Sequence, residues 1–84
     1  MKLKPQTIEL KVPLLTEEET LITIGEWISK VGERVEIDQD LVELSLDNES
    51  FMLPSPIDGT IITIEAESGD KVEPGQVLAI IEMD

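Results

Sequence analysis

The side chains of this 84-residue chain that could take part in chemistry are almost all carboxylates. It has nineteen Asp and Glu residues and neither cysteine nor histidine, which excludes thiolate nucleophiles, imidazole bases, disulfides and the usual zinc sites. Three consecutive glutamates at 17–19 could contact a hard cation, but their spacing builds no coordination geometry, and we expect no metal site. The chain is also too short for a deep cleft, so we expect no catalytic residues and no enzymatic activity.

The other candidate site is the dipeptide Asp47-Asn48, which stands between two apolar-rich segments. Asp and Asn both tolerate the left-handed backbone of tight turns, so the pair is typical of a two-residue hairpin loop. The cross-strand pairs then run from Leu46–Glu49 to Val42–Leu53, which predicts a half-buried hairpin with Asp47 and Asn48 at its tip. The apolar face of this hairpin carries Val42, Leu44, Phe51 and Leu53, and the other face carries Glu43, Ser45 and Ser50, with Met52 as the exception.

Alternation of apolar and polar residues dominates the rest of the chain and predicts about eight short strands separated by turns. This pattern is typical of an all-β sandwich or flattened barrel. We expect the second strand to turn at Gly25, after which Trp27 continues its buried side. The predicted core contains Ile8, Leu10, Val12, Ile24, Trp27, Val35, Leu41, Leu44, Phe51, Ile61, Ile64, Val72, Leu78 and Ile80.

The two halves of the chain resemble each other after a shift of 37 residues. Gly32-Glu-Arg-Val-Glu then falls on Gly69-Asp-Lys-Val-Glu, and Gln39-Asp-Leu-Val falls on Gln76-Val-Leu-Ala. Because turns and core positions coincide in both copies, the sequence predicts two similar four-stranded halves related by a pseudo-twofold axis around a shared core.

The charge is strongly negative, since nineteen acidic and six basic residues give a formal net charge of −13. Such a surface repels phosphate backbones and anionic membranes and favours basic protein partners. We therefore expect no nucleic-acid partner, no membrane attachment and a monomeric domain. No signal peptide is visible, and we interpret the chain as cytoplasmic, or as mitochondrial if its source is eukaryotic.

A series of short motifs runs in a fixed order along residues 8–82. It comprises Val12-Pro13, Leu15, Glu17, Ile24, Trp27, the segments 30–35, 41–44, 69–72 and 78–80, and Asp38, Asp47, Pro54, Asp58-Gly59 and Gly75. In this order and spacing the chain resembles the lipoyl-carrier domain of the acyltransferase component of 2-oxo acid dehydrogenase complexes. The resemblance implies a barrel-sandwich hybrid, a flattened barrel of two four-stranded antiparallel sheets, with residues 1–6 as an N-terminal extension and 7–84 as the domain.

In that family the hairpin tip carries Asp-Lys, and the lysine holds lipoate, which carries acyl groups between the enzymes of the complex. Counting back eleven residues from Gly59 puts the lysine at position 48, where this chain has Asn48 beside Asp47. An asparagine amide is not a nucleophile, so we expect no covalent lipoate. Ser45 and Leu46 also depart from the family, which often has an acidic residue and threonine there, and we expect Leu46 to be exposed.

Three interpretations of the missing lysine are open. The chain is a carrier domain whose lysine was lost or replaced, or a degenerate copy that serves as an interaction or scaffold module without cofactor, or an artificial sequence that keeps the fold. A biotin carrier is disfavoured, because that related family places methionines beside its lysine, whereas Asn48 lies between Asp47 and Glu49.

Overall fold

The computed structural model describes residues 6–14, 21–46 and 49–84. These residues form eight β-strands and no helix, which confirms the all-β prediction. The strands are β1 (Thr7–Lys11), β2 (Ile22–Trp27), β3 (Arg34–Val35), β4 (Asp40–Leu46), β5 (Glu49–Pro54), β6 (Gly59–Ile64), β7 (Lys71–Val72) and β8 (Val77–Met83).

The strands build two four-stranded antiparallel sheets with a core between them. One sheet has the order β1-β8-β6-β3, and the other has the order β5-β4-β2-β7. A shift of 37 residues superimposes the positions of β2, β3 and β4 on those of β6, β7 and β8. When each of these strands is replaced by its equivalent, and β5 by β1, the strand order of the second sheet becomes that of the first. The predicted pseudo-twofold relation is therefore confirmed.

Equivalent turns tie each half of the chain to the other half's strands. The backbone N–H of Gly32 donates to the carbonyl of Ile61 at 2.7 Å, and that of Gly69 donates to the carbonyl of Ile24 at 2.8 Å. Both glycines have positive φ angles, +88° and +92°, which glycine adopts without steric cost. Because β3 pairs with β6 and β7 pairs with β2, neither half completes a sheet by itself.

Two clusters of buried apolar side chains fill the space between the sheets. All predicted core positions except Ile80 belong to these clusters or pack against them. The first cluster contains Val12, Ile22, Ile24, Val42, Leu44, Ala66, Val72 and Leu78, and the second contains Leu10, Val35, Leu41, Ile61, Ala79 and Ile81.

A β-bulge explains why Ile80 is wrongly predicted as core. The pairing of β8 with β1 shifts its register at Leu78, which is an extra residue on β8. Leu78 and Ala79 are therefore both buried, in different clusters, and the next inward position is Ile81, while Ile80 is half-buried and in neither cluster. The pairing of β4 with β5 shifts in the same way at Leu41.

The path of β2 also differs from its prediction. The strand continues through Gly25, where the sequence predicts a turn, and ends at Trp27. Its pairing with β4 shifts register between Ile24 and Trp27, so the local irregularity is a bulge within the sheet. A Cβ atom at Gly25 would meet the side chain of Glu43 on the neighbouring strand, which explains why a residue without a side chain stands there.

Trp27 connects the two halves at the end of β2. The ring is half-buried and packs against both apolar clusters. Its Nε1–H donates to the carbonyl of Ala66 at 2.7 Å, across 39 residues of sequence. The side chain therefore adds a polar contact between the halves to its apolar packing.

We predict that Trp27→Phe lowers the free energy of unfolding by about 1–3 kcal/mol, because it reduces packing and leaves the carbonyl of Ala66 without its donor. Trp27→Ala should cost about 3–5 kcal/mol, since it removes the whole ring. Urea unfolding followed by far-UV circular dichroism measures both losses without depending on the single tryptophan. A loss below about 1 kcal/mol for Trp27→Ala would contradict this packing role.

A second prediction concerns Ser29, which is 1% exposed and whose hydroxyl finds no hydrogen-bond partner among the described residues. The equivalent residue of the second half is Ala66, itself buried. Ser29→Ala should raise the free energy of unfolding by about 1 kcal/mol, because it removes an unsatisfied buried hydroxyl. Thermal unfolding checks this, with Ala66→Ser as the matched control that should be destabilising. A lower melting temperature for Ser29→Ala would show that the hydroxyl has a partner.

Candidate functional site

The candidate site is the end of the β4–β5 hairpin. The register of this hairpin is the one that the sequence predicts, and its paired strands reach the last residue of β4 and the first of β5. Asp47 and Asn48, the predicted tip, lie outside the described residues. The pairs that lead towards them are Val42–Leu53, Glu43–Met52, Leu44–Phe51, Ser45–Ser50 and Leu46–Glu49.

Apolar packing holds the hairpin on the body of the domain. Val42 and Leu44 are fully buried, and Phe51 and Leu53 pack against the same cluster. Leu46 was expected to be exposed, but it is half-buried and packs against that cluster too. The prediction is wrong because Leu46 lies two residues after the inward-facing Leu44, so strand alternation turns it inward as well.

Backbone hydrogen bonds close the base of the hairpin. The N–H of Ser55 donates to the carbonyl of Gln39, and the N–H of Asp38 donates to the carbonyl of Ser55, both at 2.8 Å. Where β6 begins, a Cβ atom at Gly59 would overlap the backbone carbonyl of Glu82, so this position accepts no side chain. The sequence identifies Gly59 only as a motif residue, because the close approach of Glu82 depends on a distant strand and gives no local signal.

The hairpin contains no amine. No lysine or arginine occurs between residues 40 and 54, and the nearest charged side chains in the sequence are acidic. The described lysines lie elsewhere, with Lys11 on β1, Lys30 between β2 and β3, and Lys71 on β7. The part of the chain that the structure describes also holds no group of three or more acidic side chains arranged as a metal site.

The described residues include no helix that is long and apolar enough to cross a membrane.

The fold and the hairpin register can be compared with known proteins. A family model described as a biotin-requiring enzyme, the biotin/lipoyl model, matches residues 8–81. The chain belongs to the biotin/lipoyl family. This finding confirms the resemblance at the level of the domain family and agrees with the two-sheet architecture.

Curated relatives narrow the comparison within the biotin/lipoyl family. The chain is 43% identical over 76 residues to a dihydrolipoyllysine-residue succinyltransferase component of the 2-oxoglutarate dehydrogenase complex of Bartonella vinsonii, covering 90% of this chain and 18% of that protein. It is 43% identical over 72 residues to a dihydrolipoyllysine-residue acetyltransferase component of the pyruvate dehydrogenase complex of Corynebacterium glutamicum, covering 86% and 11%. The chain thus spans less than a fifth of the length of these relatives.

Solved structures agree with this assignment. The lipoyl domain of the 2-oxoglutarate dehydrogenase complex from Azotobacter vinelandii superposes with a TM-score of 0.74 and 30% identity, covering 88% of this chain and 94% of that domain. A single-chain, multi-domain long-chain acyl-CoA carboxylase shares the fold, with a TM-score of 0.79 at 18% identity, covering 100% of this chain and 8% of that one. The biotin/lipoyl domain is a carrier module and is not itself catalytic, although the two curated relatives described above are acyltransferase components.

Ion pairing does little to offset the acidic charge of the domain. The described residues contain three ion pairs, all exposed: Lys11–Glu9 at 3.9 Å, Arg34–Glu36 at 3.7 Å and Arg34–Asp84 at 2.5 Å. The hydrogen bond and the charge of Asp84 raise the pKa of the Arg34 guanidinium, so this cation stays charged at all ordinary pH values. Because exposed pairs contribute little to stability, we expect repulsion among the remaining carboxylates to outweigh them.

We therefore predict that the domain melts at a higher temperature in about 0.3 M sodium chloride than in buffer of low ionic strength, because salt screens exposed like charges. A gain of about 1 kcal/mol would correspond to about 4–8 °C for a domain of this size. Differential scanning calorimetry measures the shift. A melting temperature that falls on adding salt would mean that attractive ion pairs outweigh the repulsion.

Proposed function

We propose that this chain is a lipoyl-type swinging-arm carrier domain of a 2-oxo acid dehydrogenase acyltransferase whose modification position is occupied by Asn48, so that this sequence carries no lipoate. The observation that supports the proposal is the register of the β4–β5 hairpin. Because Leu46 pairs with Glu49, the two residues left to connect the strands are Asp47 and Asn48. Position 48 is where the resemblance puts the family's lysine.

The chemistry of position 48 does not fit covalent attachment. Amide formation with an activated carboxyl group requires an amine whose lone pair is free to attack. The side chain of Asn48 is itself an amide, and its nitrogen only donates hydrogen bonds. The described lysines do not replace it, because Lys11, Lys30 and Lys71 all lie outside the β4–β5 hairpin.

The carrier fold nevertheless fits the setting in which the relatives work. Those relatives are components of 2-oxo acid dehydrogenase complexes. We infer that the partners are proteins of such a complex in the cytoplasm, or in the mitochondrial matrix of a eukaryote. A net charge of −13 argues against nucleic acids and anionic membranes as partners and against self-association of the isolated domain.

A second candidate function is a degenerate or artificial module that serves as a protein-interaction or scaffold domain without cofactor. The departures at Ser45 and Leu46 favour it, because they lie three and two residues before position 48 and Leu46 packs against the apolar core. The two functions differ in what a restored lysine would do. A carrier domain with one lost residue regains modification, whereas a domain that has lost the recognition surface does not.

We predict that Asn48→Lys makes the chain a substrate for a lipoyl ligase, because it puts an amine beside Asp47 at the family's position. The variant is incubated with the ligase, ATP and lipoate, and intact mass spectrometry measures the lipoyl adduct. The unsubstituted chain should stay unmodified under the same conditions. If position 48 has positive φ, lysine costs about 1 kcal/mol there, which should leave the domain folded.

The matched control is Glu49→Lys, which introduces one lysine at the neighbouring position and keeps Asn48. Glu49 is the first residue of β5 and pairs with Leu46. Position-specific recognition predicts an adduct on the first variant and none on the control. A folded Asn48→Lys variant without adduct would argue for the scaffold function. An adduct on the unsubstituted chain, at Lys30 or Lys71 for example, would overturn the proposal that this sequence is unmodified.

A further inference from the structure

An apolar strip crosses the outer face of the sheet that contains β6 and β8. Ile62 on β6 is 39% exposed and is the extra residue at a register shift, since Ile61 pairs with Ile81 and Thr63 pairs with Ile80 of β8. The hydrogen bond from Gly32 to the carbonyl of Ile61 brings Val31, which is 58% exposed, beside the same part of β6. We call Val31, Ile62 and Ile80 the outer strip.

The pseudo-twofold relation shows that the fold does not require this strip. The equivalent positions on the other sheet, 37 residues away in sequence, are Ser68, Gly25 and Glu43. Gly25 and Glu43 are also neighbours, since a Cβ atom at Gly25 would lie 3.2 Å from the Cβ of Glu43. The same strand arrangement therefore forms with small or polar residues at these positions. The fold does not explain why the outer strip is apolar.

Several acidic residues lie near the outer strip, either by strand pairing or by their position in the sequence. Glu9 on β1 pairs with Ile80, and Glu82 follows two residues later on β8. Glu33 comes two residues after Val31, and Glu65 comes three residues after Ile62. Among the nearby cations, Lys11 lies 3.9 Å from Glu9 and Arg34 lies 2.5 Å from Asp84, while the exposed Lys30 directly precedes Val31.

We propose that the outer strip binds a basic amphipathic helix of a partner protein. Neighbouring strands are about 4.8 Å apart, and one turn of an α-helix rises about 5.4 Å, so a helix lying across the strands puts apolar side chains at i, i+3, i+4 and i+7 over the strip. Lysine or arginine on the flanks of that helix then faces the surrounding carboxylates. A second copy of this chain fits less well, because each copy has a net charge of −13 and like charges would meet.

The test uses a synthetic 14-residue peptide of leucine and lysine, with leucines at helical i, i+3, i+4 and i+7 spacing. It is titrated into the ¹⁵N-labelled chain, and amide chemical shifts give both the binding site and the dissociation constant. The expected perturbations centre on β6, β8 and residues 30–33. A peptide with glutamate in place of every lysine should bind at least about tenfold more weakly, because its charge repels the acidic surround.

Two matched variants distinguish the outer strip from the general acidic surface. Ile62→Thr keeps a β-branched residue on the strand and should weaken peptide binding by about five- to tenfold, as should Val31→Ser, which installs the residue type of the equivalent turn. Ile37→Thr is the control, because Ile37 is also exposed, at 57%, but does not belong to the outer strip. The backbone N–H of Ile37 donates to the Asp58 carboxylate, which places it at a different loop. This control variant should leave the dissociation constant unchanged.

Four outcomes would overturn the proposal. Equal weakening by Ile62→Thr and Ile37→Thr, or perturbations spread over all acidic loops, would mean that the peptide binds through charge alone. Concentration-dependent line broadening of the chain without peptide, lost in Ile62→Thr, would mean that the strip contacts a second copy instead. No detectable binding of the lysine peptide at millimolar concentration would remove the basic helix as the occupant.

Discussion

Each half of the chain contributes one short strand to the sheet of the other half, and the rest of the structure depends on this pairing. β3 and β7 have two residues each, and each pairs with a strand of the opposite half. The hydrogen bonds from Gly32 to Ile61 and from Gly69 to Ile24 fix this pairing at its turns. The hairpin that carries the candidate site rests on β2, and β2 is bordered by β7 from the other half. The geometry of the site therefore requires that both halves fold together.

Bulges in β4 and β8 let both sheets contribute side chains to each of the two apolar clusters between them. Leu41 in β4 and Leu78 in β8 are the extra residues that interrupt the alternation. Each of them belongs to the apolar cluster that is formed mainly by side chains of the opposite sheet. Two consecutive residues of each strand are then buried, in different clusters. The bulges also set which outer positions remain exposed, because Ile80 is turned away from the core by the extra residue before it.

The sequence was sufficient for features that depend on local patterns. The hairpin register follows from the alternation on both sides of a turn-forming dipeptide, and Gly32 and Gly69 mark turns because of the repeat. Ile80 and Gly25 could not be predicted, because a bulge depends on how a strand meets its neighbour and leaves the local pattern intact. Gly59 shows the same limit, since the carbonyl that excludes its side chain belongs to Glu82 on another strand.

The chemistry of the family and the stability of its fold reside in different residues. The described apolar packing of the β4–β5 hairpin reaches Leu46, and the proposed function puts the family's amine two residues later, at position 48. Under the proposed function, an amide at position 48 in place of the amine removes the attachment point for lipoate, whereas the packing of the hairpin rests on other residues, Val42, Leu44 and Leu46. The fold and its acidic surface then do not depend on lipoate attachment. Under the same proposal, protein contacts with this surface can be measured without the cofactor, and the outer strip, which lies on the other sheet, is one place to measure them.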